Sequence, residues 1–66
     1  MEFKQALKEL RMAKGLSQKE LAKETGLSLS VIGKWEIGLR EPSGNTLIIL
    51  AKYFGVTTDY LLGLEC

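Results

Sequence analysis

The sequence predicts an all-α fold, a compact bundle of five short helices, and three observations carry that expectation. Apolar residues recur three and four positions apart, and no stretch shows the strict alternation of a half-buried strand. Glycines at 15, 26, 38, 55 and 63 cut the chain into short segments, each placed where a helix would end. Ser17, Ser28, Ser43 and Thr57 stand at the heads of four of those segments, where a side-chain oxygen can accept an early backbone N–H.

The first helix is expected from Phe3, Ala6, Leu7, Leu10 and Ala13, with Lys4, Lys8, Glu9 and Lys14 turned outward and Gly15 ending it. Ser17-Gln18-Lys19-Glu20 is a capping box that opens the second, which continues through Leu21 and Ala22 until Gly26. Ser28 opens the third, whose apolar side is Val31, Ile32 and Trp35 and which ends near Gly38. Leu39-Arg40-Glu41-Pro42 is a connecting loop, because the residue before a proline disfavours helix. Ser43 caps a fourth helix holding Leu47, Leu50, Ala51 and Phe54, closed by Gly55. Thr57 caps a short fifth that runs through Leu62 to Gly63.

Composition narrows function by exclusion. The 66 residues form one small domain, 1–66, with 45% apolar and 26% charged residues, an ordinary balance for a folded chain. No histidine is present, which removes the commonest general base and the commonest metal ligand. Cys66 is the single cysteine, so neither an intrachain disulfide nor a zinc site is expected, and no cofactor is called for. The run Leu47–Ala51 is far shorter than the ~20 apolar residues of a membrane span, and the N-terminus lacks the apolar stretch of a signal peptide. A soluble, cytoplasmic protein with no membrane partner is the expectation. Through Arg40, eight Lys/Arg face five Glu, a net +3; from Glu41 onward one Lys faces three acids, a net −2. That division suits a domain offering one face to a polyanion, and equally an ordinary solvated surface.

The informative stretch is about 17–37. Two short helices joined by a turn at Gly26, with Leu21, Ala22, Leu27, Ile32 and Trp35 at the inward positions, have the form of a helix-turn-helix. Ser28, Leu29, Ser30, Gly33, Lys34 and Ile37 are left outward on the second of them, a candidate reading head for the major groove. Trp35 and Tyr53 are expected in core and boundary packing rather than as stacking platforms.

The chain resembles the helix-turn-helix domain of the lambdoid phage repressors, Cro proteins and related bacterial regulators of the XRE family. The resemblance spans Leu7 to Leu62. It rests on Arg11-x-x-x-Gly15-Leu16-Ser17-Gln18-x-x-Leu21-Ala22, on Gly26-Leu27-Ser28, on Ile32-x-x-Trp35-Glu36-x-Gly38 and on Arg40-x-Pro42. Leu47-x-x-Leu50-Ala51 and Phe54-Gly55-Val56-Thr57-x-Asp59-Tyr60-Leu61-Leu62-Gly63 extend it. It implies a lambda-repressor-like fold in a bacterial or phage-encoded, nucleoid-associated protein. Ser17, Gln18 and Arg40 would contact DNA phosphates. Ser28, Leu29, Ser30, Gly33 and Lys34 would face base edges or adjacent phosphates. Arg11 and Glu36 would form a partly buried structural salt bridge.

Departures from the family pattern are informative too. Leu29 stands where glutamine often reads adenine, and leucine offers only apolar contact, for instance with a thymine methyl. Gly33 costs ~1 kcal/mol relative to alanine within a helix, which either a close backbone approach to DNA or simple tolerance would explain. Ile37 is apolar where a polar residue is more usual.

The function expected is a sequence-specific regulator of transcription, in the sense of a repressor, that binds double-stranded DNA at a palindromic operator as a homodimer. Tyr60, Leu61, Leu62 and Leu64 give the chain's end more apolar surface than a short helix can hide. Leu61 is expected to dock on the core, and Leu62 and Leu64 to supply dimer contacts; Cys66 could cross-link such a dimer in air. No small-molecule effector is evident. The alternative is a protein-interaction module, or an antagonist of a related repressor, that keeps the fold without reading DNA. An enzyme is not expected, since no nucleophile–base pair or carboxylate cluster can be assembled.

Overall fold

The structure, a computed structural model, describes residues 2–64. Five helices follow in order: α1 (Phe3–Ala13), α2 (Gln18–Thr25), α3 (Leu29–Glu36), α4 (Gly44–Phe54) and α5 (Thr58–Leu62), and no strand lies among the described residues. Their boundaries are local chemistry made visible. Ser17 Oγ accepts from the Glu20 amide at 3.0 Å while the Ser17 amide donates to Glu20 Oε1 at 2.9 Å, a complete capping box. Ser28, Ser43 and Thr57 accept in the same way from Val31, Thr46 and Tyr60. Gly26 ends α2 at φ +74°, a backbone region that a Cβ penalises, and there the chain turns from α2 toward α3. Gly38, at φ +80°, ends α3 in a Schellman arrangement: its amide donates to the Trp35 carbonyl and the Leu39 amide to that of Lys34.

The core is drawn from all five helices. Ala6, Leu7, Leu21, Ile32, Leu50 and Leu61 are fully buried, and Trp35, Leu47 and Ala51 nearly so. Each fully buried leucine or isoleucine contributes about 1.5–3 kcal/mol through removal of apolar surface from water. Leu27, at the corner between α2 and α3, packs against this core from the turn, as do the half-buried Ala22 and Val31. Phe3 meets Trp35 edge to face, with ring centroids 6.0 Å apart, which seats the start of α1 against the end of α3. Helix α3 lies between α1 and α2, whereas α5 closes the other side by packing on α1 and α4.

One apolar position departs from its spacing. Ala13, placed on the inward face of α1 by helical periodicity, is exposed, because α1 ends with that residue and the chain turns away through Lys14. Cys66, which could cross-link a dimer in air only as an artefact of purification, lies outside the described residues. No helix among them is long and apolar enough to cross a membrane.

Candidate nucleic-acid interface

The capping box at Ser17 sets the direction of α2, and the turn at Gly26 swings the chain so that α3 packs across α2. Gln18, the first residue of α2, therefore reaches α3. Its Nε2 donates to Glu36 Oε1 at 3.1 Å, and its Oε1 lies 3.6 Å from where a Cβ on Gly33 would stand. Serines 28 and 30 and Lys34 are exposed, and Leu29 is 46% exposed despite its size. Lys34 makes no ion pair with a described residue. The outward edge of α3 thus offers hydroxyls, one leucine and an ammonium, beside the N-terminus of α2.

An ion pair holds this arrangement rigid. Arg11 Nε donates to Glu36 Oε2 at 2.7 Å and Nη2 to Glu36 Oε1 at 2.9 Å, a fork-on-fork contact between α1 and α3. Arg11 Nη1 also donates to the Leu16 carbonyl at 2.7 Å, tying the loop before α2 to the same guanidinium. The side chains are 12% and 5% exposed, so the pair is nearly desolvated. Burial pushes the Glu36 carboxyl up, but hydrogen bonds from Arg11 and Gln18, with the charges of Arg11 and Lys8, outweigh it and hold it below the ordinary range. The Glu36 hydrogen bond raises the Arg11 pKa further, against the opposing effect of burial.

Arg40 and Leu62, for which separate roles were expected, lie on the walls of one groove. That groove, of about 430 Å³, is also lined by Phe3, Lys4, Trp35 and Pro42. Leu62 is 41% exposed and Leu64 is 70% exposed, whereas Leu61 is fully buried. Trp35 and Tyr53 pack in the core and at its boundary. Gly33 is not demanded by packing, since a Cβ there would make only ordinary contact with Gln18. Ile37 and Leu39 are largely exposed just beyond α3. Among the described residues no group of acidic or cysteine side chains could hold a metal ion.

Three contacts escape a reading of the sequence. The Gln18–Glu36 bond needs the crossing of α2 and α3, which no local pattern encodes. Tyr53 Oη donates to Glu24 at 3.2 Å while Lys14 Nζ lies 4.6 Å from the Tyr53 ring centre, so α4 is stitched to α2 and to the end of α1. Desolvation, then the Glu24 charge and hydrogen bond, raise the Tyr53 pKa.

Comparison with known proteins gives a consistent result. The profile of a family described as helix-turn-helix matches residues 7–61. The chain is 42% identical over 98% of its length to the helix-turn-helix-type transcriptional activator BcrR of Enterococcus faecalis, of which it covers 32%. It is 43% identical over 91% of its length to the SPbeta prophage-derived helix-turn-helix-type regulator YonR of Bacillus subtilis, of which it covers 56%. The chain thus spans only about a third to a little over a half of these curated relatives. Among solved structures it resembles the restriction-modification controller protein C.AhdI of Aeromonas hydrophila, at 42% identity and a TM-score of 0.81, over 91% of each chain. It also resembles the P22 c2 repressor, solved with a synthetic operator, at 29% identity and a TM-score of 0.88, over 98% of each.

Proposed function

The chain belongs to the helix-turn-helix family of XRE type, a non-enzymatic DNA-binding family, and from that premise we propose that it is a sequence-specific repressor of transcription. In this reading α3 enters the major groove of double-stranded DNA. Leu29, Ser28 and Ser30 face base edges, Leu29 against a thymine methyl, and Lys34 binds a base edge or an adjacent phosphate. Gly33 admits the close approach of the α3 backbone. Ser17 and Gln18 at the start of α2, and Arg40 in the loop after α3, take backbone phosphates.

The observation that carries the reading is the exposed edge of α3, with Lys34 outside any ion pair to a described residue, beside the N-terminus of α2, with Gln18 reaching across Gly33. Beyond the Ser28 cap, the side chains of Ser30 and Lys34 have hydrogen-bonding capacity that the fold itself does not use. The P22 c2 structure, which contains operator DNA, supports it by likeness. Exposed Leu62 and Leu64 would meet their counterparts across a two-fold axis, presenting two α3 helices about one DNA turn (~34 Å) apart.

Selection of the protein's targets from random-sequence duplexes, at two salt concentrations, tests this. A palindrome with half-sites one turn apart, bound more weakly as salt rises, is the expected outcome. If no sequence is enriched and binding stays weak at low salt, the exposed Leu29, Ile37 and Leu39 instead mark a protein-interaction module.

A further inference from the structure

A carboxylate oxygen can only accept, so the 3.1 Å bond from Gln18 Nε2 to Glu36 Oε1 fixes which end of the amide faces inward. Glu36 cannot turn away, because Arg11 holds both of its oxygens and the side chain is 5% exposed. Arg11 is itself anchored a third time, on the Leu16 carbonyl. The Gln18 carbonyl oxygen is therefore placed across α3, against the open Cα of Gly33, which shares a helix face with Leu29 and Ser30. A glutamine on a surface otherwise samples many rotamers, and ordering it at the moment of binding weakens affinity.

We propose that Glu36, beyond bracing the fold, is a positioning residue for DNA recognition. Anchored by Arg11, it holds the Gln18 amide in one orientation, leaving one N–H for a backbone phosphate. The carbonyl oxygen is turned along the α3 face, where it can accept from an exocyclic amino group of a base. The inference rests on the DNA-binding reading above. It differs from a purely structural salt bridge because its effect must pass through residue 18.

A double-mutant cycle on the duplex enriched by selection tests it, using Gln18→Ala, Glu36→Gln and the double variant at a temperature where circular dichroism shows all four proteins folded. Each single change is expected to weaken binding about fivefold, the scale of one hydrogen bond, and the double variant to bind no more weakly than Gln18→Ala alone. An equal loss from Glu36→Gln in both backgrounds overturns the proposal and leaves the DNA reading intact. Failure of the unsubstituted protein to bind any duplex overturns both. Should Glu36→Gln not fold, the unsubstituted protein decides by NMR. One Gln18 side-chain N–H proton shifted downfield and protected from exchange is expected; both exchanging like free glutamine overturns the proposal.

Discussion

Helices α1 to α3 and helices α4 and α5 share one core but are held by different means. In the first group polar bonds cross between elements: Arg11 to Glu36, Arg11 to Leu16 and Gln18 to Glu36. In the second, Leu47, Leu50, Ala51 and Leu61 pack apolar surface, and the bonds at Ser43 and Thr57 are local caps. Tyr53 makes the polar contacts that leave the second group among those described, an exposed hydrogen bond to Glu24 and the cation of Lys14 over its ring. Hydrophobic burial is non-directional and asks only for closeness, whereas a charge-assisted hydrogen bond fixes an angle. Directional bonds therefore stand where the orientation of α2 and α3 matters, and apolar contact suffices to close the bundle behind them.

The largest expected break is on the apolar side. Leu50→Ala should cost about 3 kcal/mol, read as a lower urea midpoint at unchanged slope, because a fully buried leucine leaves a cavity as well as losing burial. A loss below about 1 kcal/mol would mean that α4 repacks and that the contrast is overstated.

Arg11→Ala comes next, at about 2–3 kcal/mol at neutral pH, since it strands a nearly buried carboxylate. Its pH dependence is distinctive. The folded protein holds the Glu36 carboxyl below its ordinary range, so the pair's contribution is present above the unfolded value of ~4.3 and is lost as pH falls through the folded value. Thermal melts from pH 7 downward should show the gap between the parent and Arg11→Ala closing in acid. Leu50→Ala should keep its gap wherever both proteins remain folded.

The smaller changes sharpen the contrast. Gly33→Ala should stabilise the domain by about 1 kcal/mol, since Gly33 lies inside α3 and its added methyl meets Gln18 Oε1 only at ordinary distance. Weaker DNA binding despite that gain would show that the α3 backbone approaches the duplex closely. Lys34→Ala should leave the melting curve within about 0.5 kcal/mol of the parent and lower the slope of log affinity against log salt by about 1. An unchanged slope would remove Lys34 from the phosphate contacts.

What could be read beforehand follows the range of each interaction. Ser17 with Glu20 and the turn at Gly26 lie within a few residues, so spacing alone announces them. Leu21, Ile32, Leu50 and Leu61 follow helical periodicity into the core, while Ala13 obeys the same period and ends up exposed because α1 stops there. Arg11 and Glu36 stand 25 positions apart, and only the family resemblance suggested pairing them. Gln18 to Glu36 and Tyr53 to Glu24 depend on how helices cross, and no period in the chain carries that crossing.

The edge-to-face seat of Phe3 on Trp35 also gives the protein an optical reporter. Trp35 is the sequence's single tryptophan, 4% exposed, and it forms part of the wall shared with Arg40 and Leu62. Its emission therefore follows two events with one fluorophore: the docking of α1 as the chain folds, and the entry of any group into that groove. A red shift on unfolding and a smaller change on groove occupancy would separate the two without adding a label.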